Sequence, residues 1–172
     1  MTTLLQSLEA LYTRELTTLR AELEAYPDEA DLWKTLPGMS NSGGNLALHL
    51  TGNLQHFIGA VLGKSGYVRN RDAEFGSRNV PRAELLKQVD QAIAAVSGTL
   101  RRLDAAKLEQ QFPDPIAKMR LATGDFLLHL ANHFSYHLGQ LDYHRRAVTG
   151  GGPVAGALSP TKLASATPDP GA

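Results

Sequence analysis

No cysteine occurs among the 172 residues. That absence removes disulfide cross-links, thiolate metal ligands and a cysteine nucleophile together, so any sulfur chemistry must use the sulfur of a substrate. Net charge is missing too, because 17 Lys and Arg balance 17 Asp and Glu. With no broad field to gather phosphates or anionic lipid, nucleic acid is not an expected partner. No apolar run approaches the roughly 20 residues that a bilayer-spanning helix needs. The stretch from Met1 to Glu9 has neither the basic region nor the unbroken apolar segment of a signal peptide. The expectation is therefore a soluble, cytoplasmic protein that does not enter a membrane. A His-Glu-x-x-His pair and a Gly-x-Ser-x-Gly turn are both lacking, which sets aside metalloprotease and serine-hydrolase chemistry. The Gly-rich pieces at 42–44 and 150–152 lack the lysine and spacing of a phosphate loop.

What the chain does contain is helical periodicity. Leu4, Leu8, Leu11, Leu16, Leu19 and Leu23 predict a first amphipathic helix over about 2–25, stopped by Pro27. Residues 28–44 read as an ordered loop carrying a buried Trp33. A second helix is expected from Asn45, as its cap, to Gly63. Residues 65–80 have neither helical nor strand period and read as a polar loop, whose Arg69, Arg71 and Arg78 could cap an anionic substrate but more simply form a solvated surface. Pro81 opens a third helix with Leu85, Leu86, Val89, Ile93 and Val96 facing inward, ending near Leu103. A short helical turn at 104–110 precedes Phe112-Pro113-Asp114-Pro115, which enforces extended backbone. The fourth helix is predicted from Thr123, as cap, to Val148, with Gly150 ending it. Four long helices and no strand pattern give an all-α fold, a four-helix bundle with long loops. The chain divides into a helical unit, 1–149, and a Gly/Pro/Ala-rich tail, 150–172, that cannot build its own core and should lie along the bundle or a neighbouring subunit.

On the fourth helix, His129, His133 and His137 stand four residues apart. Side chains at i and i+4 lie one above the other, so the three imidazoles form one file. Each such step drifts about 40° around the axis, so adjacent pairs converge on one point and the outer pair does not. The pair His133/His137 has the polar neighbours Asn132 and Gln140, which can orient imidazoles or solvent, whereas His129 sits among Phe126, Leu127, Leu128 and Leu130. A helix supplies one wall of a coordination sphere only. The best third ligand is His49 in Leu48-His49-Leu50-Thr51-Gly52-Asn53, with Asn53 and His56 following on roughly the same side. His56 could be a ligand, a base or a packed residue. His144, beside Arg145 and Arg146 at the helix end, reads as a surface residue acting on the helix dipole.

Neutral imidazoles suit a borderline divalent transition ion, zinc or nickel foremost, rather than calcium or magnesium. Three of them bring no negative charge and leave a coordination position for water or substrate. Two stacked histidines on a core-facing helix are otherwise hard to justify, since neutral imidazoles need hydrogen-bond partners and charged ones repel.

The string Leu128-His129-Leu130-Ala131-Asn132-His133-Phe134-Ser135-Tyr136-His137-Leu138-Gly139-Gln140-Leu141, joined to Leu48-His49-Leu50-Thr51-Gly52-Asn53, resembles the DinB/YfiT-like superfamily of metalloenzymes over about 4–148. The resemblance implies an up-down-down-up bundle, frequently a homodimer, with the metal on His49, His133 and His137. It further implies a small-molecule substrate. In some relatives that is a low-molecular-weight thiol such as bacillithiol, mycothiol or glutathione, used in S-transfer or isomerisation. Asn53 and Gln140 become the candidate catalytic residues around the ion. The contrasting expectation is a non-catalytic helical dimer, knitted by a metal that His56 or His129 closes off.

Overall fold

The computed structural model describes residues 2–154 and 158–169. The fold is all-α. Helix α1 spans Leu4–Glu24, α2 Gly43–Leu54, α3 Arg71–Gly76, α4 Arg82–Leu100 and α5 Thr123–Thr149. Single 3-10 turns occupy Glu29–Trp33, Ala105–Glu109 and Pro160–Lys162. Among the described residues the only β pairing is two isolated bridges, Gln111 with Ala122 and Ile116 with Met119. Among the described residues no helix is long and apolar enough to cross a membrane.

The helix ends follow local chemistry. Thr3 and Gln6 close a reciprocal capping box on α1, each side chain satisfying the other's backbone N–H. Gly150 ends α5 in the left-handed conformation (φ 70°), which glycine adopts without steric cost. Asn45 is not the cap of α2. Ser42 is, so the helix is capped three residues earlier than the periodicity suggests. The Asn45 amide instead donates to the Glu74 and Ser77 carbonyls at 2.9 and 3.1 Å, pinning α3 to α2. Likewise Ala122, not Thr123, caps α5. Thr123 donates through both its amide and its hydroxyl to the Gln110 carbonyl.

Helix α1 packs against α4 and α5, and α2 packs against the same two helices, so α1 and α2 stand across the core from one another. One apolar cluster holds them: Leu8, Tyr12, Leu16, Leu19 and Leu23 of α1, Leu50 and Leu54 of α2, Val89 and Val96 of α4, and Phe126, Phe134 and Leu141 of α5. Each such side chain contributes roughly 1.5–3 kcal/mol on leaving water. The inner face of α1 differs from the simple leucine file, because Leu4 is exposed and Leu5 and Tyr12 are buried in its place. The Tyr12 hydroxyl donates to the Leu127 carbonyl at 2.6 Å. In the 28–44 connector it is Leu32 that is fully buried, while Trp33 is half-buried.

Every residue of α2 is buried. A helix enclosed on all sides needs small residues where neighbours press closest. A Cβ on Gly44 would fall 2.7 Å from the Trp33 indole, and one on Gly52 would collide with the Glu74 carboxylate. Beyond Leu54 the helix widens into π turns over Gln55–Leu62, with the Gly63 amide reaching the Ile58 carbonyl at 2.9 Å. Residues 65–80 are not wholly irregular: Asn70 caps the six-residue α3, accepting from the Ala73 amide at 3.0 Å. In the tail, the Leu158 carbonyl meets the Arg14 guanidinium at 3.5 Å and Lys162 borders a groove with Glu9, Thr13 and Thr17 of α1. The parts of the tail at 155–157 and 170–172 lie outside the described residues.

Candidate metal centre

Helices α2 and α5 bring His49, His133 and His137 together. One donor nitrogen from each lies within 4.8 Å of the other two. The rings meet edge to face, with centroids 5.1 Å apart for His49 and His133, 5.3 Å for His49 and His137, and 4.6 Å for His133 and His137. His49 Nε2 stands 3.3 Å from His133 Nε2. Two nitrogens bound tetrahedrally to one zinc-like ion at about 2.0–2.1 Å would stand roughly 3.3–3.4 Å apart, so the spacing fits a shared cation.

The outward nitrogens decide which tautomers face inward. His49 Nδ1–H donates to Glu74 Oε2 at 2.9 Å. The same carboxylate accepts from Arg69 Nε at 2.6 Å and from Arg69 Nη2 at 2.8 Å. Burial alone would raise the Glu74 carboxyl, but hydrogen bonds from Arg69 and His49 outweigh it and hold Glu74 below its ordinary range. An ionised carboxylate is acceptor-only, so the proton belongs on His49 Nδ1 and the Nε2 lone pair points at His133. On the other side His137 Nδ1–H donates to Gln140 Oε1 at 2.7 Å, which frees its Nε2. Burial pushes the His133 imidazole down to about 4, with His137, His49, His129 and Arg69 adding to the shift. Burial also lowers His137, against the raising effect of the Gln140 bond. Neutral imidazoles with a paired outer N–H, as in His49 and His137, are the ligand form that a divalent transition ion takes.

Asn53, one turn beyond His49, is buried, and its Oδ1 has no hydrogen-bond partner among the described residues. The same holds for His56 Nδ1, and burial, then the Arg69 charge, lowers the His56 pKa. The α periodicity that would stack His56 above His49 is broken from Gln55 onward, and His56 is outside the converging group. His129 is outside it too, exposed and stacked on Phe126 with centroids 6.1 Å apart. Asn132 does not orient the imidazoles, since its amide returns to the Leu128 carbonyl of its own helix at 3.1 Å.

His144 is no surface residue. It is 1% exposed, with Nδ1 paired to the Tyr26 hydroxyl at 2.8 Å and Nε2 to the Lys34 carbonyl at 2.9 Å. The arginines of 65–80 do not converge on a ligand. Arg69 is committed to Glu74, Arg71 lies over the Phe75 ring, and Arg78 donates to the Phe75 and Ser77 carbonyls. Sequence reasoning missed Glu74, its Arg69 clamp, and the Gly52 gap through which the carboxylate reaches α2. The available signal was Asn70 followed by Asp72 and Glu74, a capping residue and an acidic first turn.

The sequence profile of the DinB superfamily matches residues 11–141. No curated protein and no solved structure matches the chain. The matched span takes in His49, Glu74, His133 and His137, and with most of its length covered the chain belongs to the DinB superfamily.

Proposed function

We propose that the protein is a metal-dependent enzyme in which His49, His133 and His137 hold one divalent ion, zinc or nickel, beside a site for a low-molecular-weight thiol or water. The observation that carries this reading is the 3.3 Å approach of two Nε2 atoms whose histidines come from different helices. When bound, such an ion supplies Lewis acidity and lowers the pKa of a coordinated thiol or water toward neutrality. The chain's own residues do the rest. Glu74, kept ionised by Arg69, fixes the His49 tautomer and raises its basicity as a ligand, and Gln140 does the same for His137. Asn53, one helical turn from His49, carries a buried acceptor oxygen with no partner among the described residues, the group this reading assigns to a proton of the incoming nucleophile.

A metal that only braces the helices of a dimer is the alternative. It would be closed by a fourth protein ligand. Among the described residues the converging group has three members, and His56 and His129 are not in it, which supports an open position. The deciding experiment is elemental analysis of untagged protein, wild type and His133→Ala, with turnover measured for several cellular thiols against a model electrophile. Near-stoichiometric metal and thiol consumption, both lost in the variant, are expected. Full metal retention in His133→Ala refutes the ligand set. A metal-loaded protein that consumes no thiol and hydrolyses no activated ester leaves the bracing reading.

A further inference from the structure

A cleft of about 460 Å³ lies next to the metal centre, between the 38–41 segment and the outer face of α5. Its size falls in the ordinary range of small-molecule sites. Tyr136, Gly139 and Tyr143 share this face at three- and four-residue spacing, so two phenol rings flank a position with no side chain. Met39 and the buried Leu46 supply apolar wall. No Lys, Arg, Asp or Glu lines the space, and Arg146, whose guanidinium lies over the Tyr143 ring 5.0 Å from its centroid, is paired with Asp142. His144 at its edge has its pKa lowered by burial, against the raising effect of the Lys34 carbonyl, and both its ring nitrogens are taken, by the Tyr26 hydroxyl and that carbonyl. The link to the centre is direct: Gln140 lines the cleft and accepts from His137 Nδ1, and the Tyr136 ring meets the His137 ring edge-on at 5.3 Å.

We propose that this slot binds a neutral, aromatic small molecule, held flat between Tyr136 and Tyr143 over Gly139. Charge decides the class. A carboxylate or phosphate would leave water for a lining with no cation, and an ammonium would meet no carboxylate. A planar ring gains apolar contact and offset or edge-on packing with both phenols. That the ligand is the reaction partner of the proposed nucleophile rests on the reading above, but its binding does not.

Gly139 makes the proposal testable, because a Cβ there meets nothing within 4 Å. A Cβ at this position displaces no protein atom, the further carbons of leucine extend into the slot, and the change removes a helix-weakening glycine. The probe is the neutral dye N-phenyl-1-naphthylamine, titrated by fluorescence into metal-loaded full-length protein. Saturable binding to the wild type is expected, weakened at least tenfold by Gly139→Leu and clearly weakened by Tyr143→Ser, with bound metal and melting temperature not reduced in Gly139→Leu. His133→Ala should bind the dye within about twofold of wild type, whatever its metal content, so failure of the metal reading leaves the slot standing. Equal affinity in wild type and Gly139→Leu overturns the proposal. So does absence of saturable binding, including the case where sedimentation shows a second copy covering Tyr136 and Tyr143.

Discussion

Replacing Glu74 by Gln keeps the shape of the side chain and removes its charge, which separates electrostatics from packing at the candidate metal centre. In the wild type one carboxylate serves two partners, His49 Nδ1 at 2.9 Å and the Arg69 guanidinium at 2.6 and 2.8 Å. Glu74 is buried and Arg69 largely so, with side chains 5% and 12% exposed, so solvent screening is reduced. A glutamine has one carbonyl oxygen for both donors, and its NH₂ faces a donor on the other side. The His49 tautomer then loses its anchor. Losing such an outer partner typically weakens metal affinity 10–100-fold, or about 1.4–2.7 kcal/mol. Glu74→Ala should do more, because it leaves the Arg69 charge buried and unpaired at a cost of about 3 kcal/mol or more in folding stability. Adding Arg69→Met to Glu74→Ala should restore most of that stability while metal affinity stays low. Competition against a fluorescent zinc chelator measures the first effect and denaturant unfolding the second. A Glu74→Gln protein that holds zinc within about threefold of wild type would show that the carboxylate is a spectator, and the role given to it here would fall.

Gly52→Ala should reproduce the metal defect of Glu74→Gln by displacing the carboxylate, and chelator competition on the two variants should give similar constants. Arg145→Met strands the buried Glu22 carboxylate and should cost about 3–5 kcal/mol in unfolding free energy, largely recovered by Glu22→Gln in the same chain. In metal-free protein, burial depresses His133, His137, His56 and His144. The folded state therefore resists protons that the unfolded chain accepts. Stability is full above about pH 6.5 and falls as pH drops toward the folded values, about 4 for His133. His144→Asn should flatten that fall by up to one proton, read from urea midpoints across the range.

Much of the centre was legible because helical spacing is local. Four-residue steps predict that His133 and His137 face one point, and the apolar period predicts that their helix turns toward the core. His49 needed only a second helix with a histidine among leucines, although His56 on the same expected helix remained a rival. Glu74 was hidden because a six-residue helix inside a polar loop has too few apolar positions to show a period. Its importance comes from tertiary contacts that Asn45 and Gly52 permit. His144 was misread for the same reason. Two arginines beside it suggest solvent, yet its partners Tyr26 and Lys34 lie far away in sequence. The π turns at Gln55–Leu62 have no period-based signature, so the expectation of a uniform second helix, with His56 stacked over His49, could not anticipate where the stacking ends.

The single tryptophan of the chain sits against Gly44, in the first turn of the helix that carries His49. Its emission, excited where tyrosine is silent, comes from one place only. The chain thus carries a built-in optical gauge for the start of α2. Any tightening or loosening of that helix when an ion or ligand arrives registers as a change in colour or quenching, with no label added.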